Sequence, residues 1–99
     1  MVEMHMHSPG ENKLNGEHYP LSMHLVHESP EGALAVLDVS FRVGKWNKQI
    51  EAMLIAGVRQ GRARVDLNDL YWEHSMMCVF SGSLTTPPCT EGVTWFISW

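Results

Sequence analysis

A chain of 99 residues with 44% hydrophobic content carries enough apolar side chain for one modest core and is too short for two domains. Its net charge of −4, with no run of basic residues, argues against nucleic acid and acidic membrane surfaces as partners. No apolar run reaches membrane-spanning length, and Glu3, His5 and His7 interrupt any apolar leader at the N-terminus.

Residues 3–7 alternate, with Glu3, His5 and His7 on one face and Met4 and Met6 on the other, which is the period of a strand. The stretch SPGENKLNGEHYP reads as a loop or hairpin connection, with Asn15-Gly16 a good tight turn. Residues 21–28 alternate again, Ser22, His24, Val26 and Glu28 against Met23, Leu25 and His27. A turn follows at Pro30 to Gly32. Residues 33–43 are apolar on both faces for part of their length, so they predict a central strand. Asn47 predicts the cap of a helix running to Ala56, with Ile50, Met53 and Leu54 at helical spacing. Residues 62–75 give no clear pattern, and Arg59, Arg62 and Arg64 read as a solvated cluster. Residues 76–80 and 92–99 predict two further strands around the loop SGSLTTPPCTE. The expected fold is mostly β: one partial domain over 1–99, with a central mixed or antiparallel sheet and one or two short helices.

Five of the six histidines fall within the first 27 residues. His5 and His7 sit on one face of a strand, roughly 7 Å apart along the chain, close enough to reach one metal ion. His24 is the natural third donor if residues 21–28 pair beside residues 3–7. Three imidazoles with a fourth position left open make a catalytic zinc arrangement. An isolated His-x-His is more often an ordinary surface or core feature. His27 points to the opposite face and reads as a structural histidine hydrogen-bonded inside the fold. His18 and His74 read as loop residues. Cys78 and Cys89, the only two cysteines, define no disulfide framework.

The segment MHMHSPGENKLNGEHYPLSMHLVH resembles the zinc-binding region of α-class carbonic anhydrases. SGSLTTPPCTEGVTW, over 81–95, resembles that family's second hallmark, and GALAVLDVSFRVG, over 32–44, is similar to the strand between them. The resemblance implies an α-carbonic anhydrase-like fold with Zn2+ held by His5, His7 and His24. It implies that Thr85 accepts a hydrogen bond from zinc-bound hydroxide and that the Thr85 hydroxyl in turn donates a hydrogen bond to the Glu11 carboxylate. It assigns Thr86 to the substrate and bicarbonate site, and Val26, Val36, Leu84 and Trp95 to an apolar wall for carbon dioxide. Glu3 and Ser22 stand where residues holding the ligand rings are expected. The Pro87-Pro88 bond is similar to one that is cis in the family.

The sequence also departs from the family pattern. Ser22 replaces a glutamate that receives the third ligand's free N–H, and Glu3 replaces a glutamine. Asn12 replaces a loop histidine, Met4 and Met6 replace aromatics, and Phe80 replaces a tyrosine. Asp38 stands at a family glycine. The family's N-terminal part, with its proton-shuttle histidine, and its C-terminal strands have no counterpart here. The expected consequences are a buffer-dependent turnover, open sheet edges and exposed apolar faces at Trp95, Phe96 and Trp99. Two readings stand: a fragment of a longer protein, or a compact variant whose edges a second copy of the chain or another chain covers. The resemblance implies a secreted or periplasmic setting. The implied activity is reversible hydration of carbon dioxide to bicarbonate and a proton. The alternative is a catalytically impaired binding or structural domain that keeps the metal site.

Overall fold

The computed structural model describes residues 1–59, 66–70 and 76–99. The chain divides into two compact units, one formed by Met1–Val43 with Met76–Trp99, the other by Gly44–Ser75.

The first unit is built on a five-stranded mixed sheet. Strands β1 (Glu3–His7), β4 (Leu21–Glu28), β5 (Leu34–Phe41), β6 (Met77–Ser83) and β7 (Glu91–Ser98) lie in the order β1-β4-β5-β7-β6. The expected neighbours β1 and β4 do pair, antiparallel, and the doubly apolar β5 is the central strand. β5 pairs parallel with β7, because the chain leaves the sheet through the second unit and re-enters by way of β6. A small hairpin of β2 (Lys13–Leu14) and β3 (Glu17–His18) sits between β1 and β4. Its turn residues Asn15 and Gly16 have φ of 54° and 81°, the left-handed pair that a tight hairpin turn demands.

The β4–β5 hairpin closes through Ser29, whose Oγ accepts hydrogen bonds from the backbone N–H of Glu31 and Ala33. Its register pairs Val26 with Val36 and His24 with Asp38, and β7 continues these rows with Trp95 and Ile97. Paired residues share a face, so one face of the sheet carries an apolar row of Val26, Val36, Trp95 and Phe80 beside a row of His5, His24, Asp38 and Ile97. Val26, Val36, Val93 and Trp95 form a buried cluster, with Leu34 and Leu84 packed against it.

Trp95 is buried, contrary to the expectation that an open edge would expose it, while Phe96 and Trp99 are half-buried. The reason is local. The β6 strand and the loop after it lie against Trp95, whose indole Nε1–H donates to Ser83 O at 3.1 Å. A Cβ at Gly82 would stand 3.2 Å from Trp95 Cδ1, so a bare backbone at that position admits the ring. Apolar exposure falls instead on Met76, Met77, Val79 and Phe80, on and beside the edge strand β6. His27 is also a correction: it lies at the exposed end of β4, its Nδ1 3.0 Å from Leu25 O. His18 belongs to β3 rather than to a loop, with Nδ1 2.6 Å from Gly10 O. Cys78 and Cys89 are free and exposed.

In the second unit, helix α1 (Lys48–Arg59) begins where the sequence places its cap. Asn47 Oδ1 accepts the backbone N–H of Gln49 at 2.9 Å and of Ile50 at 3.2 Å. The helix runs past the expected end at Ala56. Residues Leu67–Leu70 form a 3₁₀ turn within the stretch that gave no clear pattern. His74, Arg62 and Arg64 lie outside the described residues.

Candidate metal centre

Three imidazoles meet because two strands pair in one register. His5 and His7 share a face of β1, and His5 pairs directly with His24 of β4. The ring centroids lie 4.8 Å apart for His5 and His7, 5.2 Å for His5 and His24, and 4.5 Å for His7 and His24. One nitrogen from each ring lies within 4.8 Å of the other two, which suits a single ion.

Each ring also has one nitrogen at a carboxylate. His5 Nδ1 is 2.8 Å from Glu3 Oε1, His7 Nδ1 is 3.5 Å from Glu11 Oε1, and His24 Nε2 is 3.5 Å from Asp38 Oδ2. The nitrogens left over are Nε2 of His5, Nε2 of His7 and Nδ1 of His24. His7 Nε2 is buried with no hydrogen-bond partner among the described residues, an expensive state for a polar atom unless something binds it; His5 Nδ1 and His24 Nε2 are likewise buried and face their carboxylates without a formed hydrogen bond. A carboxylate at the far ring nitrogen is how metal-binding histidines are held in one tautomer. Burial lowers the His7 pKa, with Glu11 pulling it up and His24 and His5 adding to the lowering. The neutral ring is thereby favoured, and the neutral ring is the form that can bind a metal. The donor set fits zinc, which takes histidine nitrogens readily.

Beside the histidines lies a cavity of about 70 Å³, lined by Glu3, His5, His24, Val26, Val36, Leu84, Thr85, Thr86 and Trp95. It has room for a molecule of a few atoms. The β6–β7 loop sets one wall. Leu84 N–H donates to Thr90 O, and Cys89 N–H donates to Thr86 O, both at 2.9 Å, with Cys89 at a φ of 56°. The Pro87-Pro88 bond within this loop is cis.

The structure thus brings Val26, Val36, Leu84, Thr86 and Trp95 together around one cavity, with Thr85, Glu3 and two of the three histidines. Glu11 stands at His7, and the described residues show no hydrogen bond joining it to Thr85. Ser22 is buried, and its Oγ makes no hydrogen bond among the described residues, to His24 or to any other group.

Two residues that the sequence marks only as departures from the family pattern belong to the site. Asp38 is fully buried against His24, and Asn12 Nδ2 donates to Asp38 Oδ2 at 2.6 Å. A signal was available. A hairpin turning about Glu31 places residue 38 opposite residue 24, and a lone carboxylate inside an apolar central strand needs a partner.

Residues 1–98 match the family described as eukaryotic-type carbonic anhydrase. A carbonic anhydrase of Klebsiella pneumoniae is 40% identical over 106 residues, covering 95% of this chain and 41% of that protein. Alpha carbonic anhydrase 3 of Arabidopsis thaliana is 39% identical over 105 residues, covering 98% of this chain and 38% of its own length. Among solved structures, the α-carbonic anhydrase of Thermovibrio ammonificans in complex with the inhibitor sulfanilamide superposes with a TM-score of 0.82. It is 41% identical, with 95% of this chain and 44% of that one covered. The chain therefore spans about two fifths of the length of the curated relatives it matches.

Proposed function

The chain belongs to the eukaryotic-type carbonic anhydrase family, and from that premise we propose that it hydrates carbon dioxide reversibly to bicarbonate and a proton with the help of zinc. The observation that carries the proposal is the convergence of three histidine nitrogens beside a small cavity with an apolar wall.

His5, His7 and His24 would hold the ion. Zinc supplies Lewis-acid chemistry there, lowering the pKa of water so that a nucleophile exists near neutral pH, and carbonic anhydrase is the standing example of that effect. Three neutral imidazoles leave the full double charge of the ion to act, whereas a carboxylate donor would weaken it. Val26, Val36, Leu84 and Trp95 offer carbon dioxide, an apolar molecule, a surface without competing donors. In this reading Thr85 accepts a hydrogen bond from the attacking oxygen's O–H and turns its lone pair toward the carbon. Thr86 offers its hydroxyl to the bicarbonate oxygens. Glu3 and Glu11 keep His5 and His7 turned toward the ion from behind.

Stopped-flow hydration of carbon dioxide by the purified chain tests the proposal, zinc-loaded against chelated, with a sulfonamide control. Zinc-dependent turnover that the sulfonamide blocks is the expected result. One zinc bound per chain without turnover would overturn it in favour of a metal-holding binding domain.

A further inference from the structure

We propose that Asp38 is the positioning residue of the third histidine: it keeps the proton of His24 on Nε2 and so leaves Nδ1 as the metal donor. The inference rests on the metal-site reading above and assigns a role that the sequence left without an account.

The placement is dictated by the sheet. His24 and Asp38 are directly paired across β4 and β5, so their side chains rise side by side from one face. Both are buried, with 1% and 0% of their surface exposed. Nε2 of His24 and Oδ2 of Asp38 stand 3.5 Å apart, a few tenths of an ångström beyond an ordinary N–H···O hydrogen bond. Neither His24 Nε2 nor Asp38 Oδ1 has a hydrogen-bond partner among the described residues. Ser22 and Glu28 are the other polar residues on this face of β4; the Ser22 hydroxyl has no hydrogen-bond partner among the described residues, and Glu28 stands exposed at the strand's end, four residues on from His24. The acidic group that stands against His24 Nε2 is the Asp38 carboxylate.

Asn12 supplies the second half of the device. Its amide donates to Asp38 Oδ2 at 2.6 Å from the loop after β1, which holds the carboxylate in place. An amide oxygen turned toward that carboxylate would be repelled, so the amide has one workable orientation. The chain Asn12–Asp38–His24 thus runs from loop to sheet to metal donor. A carboxylate buried in a sheet is a costly feature, and holding a histidine in its binding tautomer is a use that only a strong acceptor can serve.

The test uses the wild-type chain, Asp38→Asn, Asp38→Ala and Asn12→Ala. Zinc dissociation constants come from competition with a chromophoric chelator. The tautomer of His24 comes from nitrogen-15 NMR of the metal-free chain, whose dispersed spectrum also reports folding. Asp38→Ala is expected to weaken zinc binding about 10–100-fold and to release His24 from the Nε2–H form. Asp38→Asn and Asn12→Ala, which keep most of the packing, should move both readouts in the same direction by less. Folded Asp38 variants with wild-type zinc affinity and an unchanged tautomer would overturn the assignment, as would a wild-type His24 protonated on Nδ1. A wild-type chain that takes up no zinc would overturn the metal reading itself. The tautomer comparison would then still decide whether Asp38 sets the ring.

Discussion

Two aspartates in this chain have nearly the same local chemistry and opposite settings. Asp38 Oδ2 takes a hydrogen bond from Asn12 at 2.6 Å and faces the nitrogen of His24. Asp69 Oδ2 takes one from Gln49 at 2.7 Å and faces Lys48 Nζ at 3.0 Å. Asp38 is shut inside the first unit, whereas the Asp69 side chain is 43% exposed in the second. Water can replace every partner of Asp69, so that cluster ties the helix start to the 3₁₀ turn and does little more. No solvent reaches Asp38, so each of its partners must be a specific atom: His24 is placed by strand register and Asn12 by the loop after β1. The same residue type is a surface brace in one unit and part of a candidate metal centre in the other, and burial makes the difference.

The largest effect should come from removing a donor in the buried cluster. His24→Ala is expected to abolish stoichiometric zinc uptake, a greater loss than the about 10–100-fold that follows from losing a partner behind a ligand. Titration with a zinc indicator measures it, and a variant that still binds one equivalent would show that two histidines suffice.

Next comes the apolar row beside the histidines. Trp95→Ala should lower the unfolding free energy by about 3–5 kcal/mol, because the ring is buried among Val26, Val36 and Leu84 and its cavity cannot collapse onto a rigid sheet. Urea unfolding of the metal-free chain reads this directly. A loss below about 1 kcal/mol would mean that the row is a surface lining rather than core.

Thr85→Val separates chemistry from binding. A hydrogen bond to a charged group is worth about 1.5–3 kcal/mol, so turnover should fall roughly 10–100-fold. Zinc affinity should stay within error of wild type, since Thr85 lines the cavity and is not one of the three histidines that would hold the ion. Equal turnover in the two proteins would remove Thr85 from the reaction.

The smallest effect belongs to the exposed aspartate. Hydrogen bonds from Lys48 and then Gln49 hold the Asp69 carboxyl below its ordinary 3.8. The folded state therefore binds that proton less readily than the unfolded one. Its contribution is present above the ordinary value and is lost as pH falls through the depressed one. Asp69→Asn should barely move the unfolding midpoint at pH 7, and the small gap to wild type should close as pH falls below 3.8. A gap as large as that of Trp95→Ala would contradict the contrast drawn between the two clusters.

Much of this protein was readable from residue order alone. Alternation placed β1 and β4, the doubly apolar run placed β5 at the centre, Asn15-Gly16 marked its turn, and Asn47 marked its cap. These are local properties: a period of two, a left-handed turn and a side chain bonding its own helix. The His-x-His pair and the third histidine were legible for the same reason, since strand periodicity decides which face a side chain takes. What only the tertiary structure decided was which residues face one another across strands. Ser22 stood where a partner for His24 was expected, yet the register sets Asp38 directly beside His24, fourteen residues away on the next strand and braced by Asn12 from a loop. Trp95 was expected at an open face and is buried, because a glycine in the neighbouring strand admits its ring. Register and close packing are long-range quantities. They follow from how whole strands minimise buried polar cost together, and no single stretch of sequence carries that information.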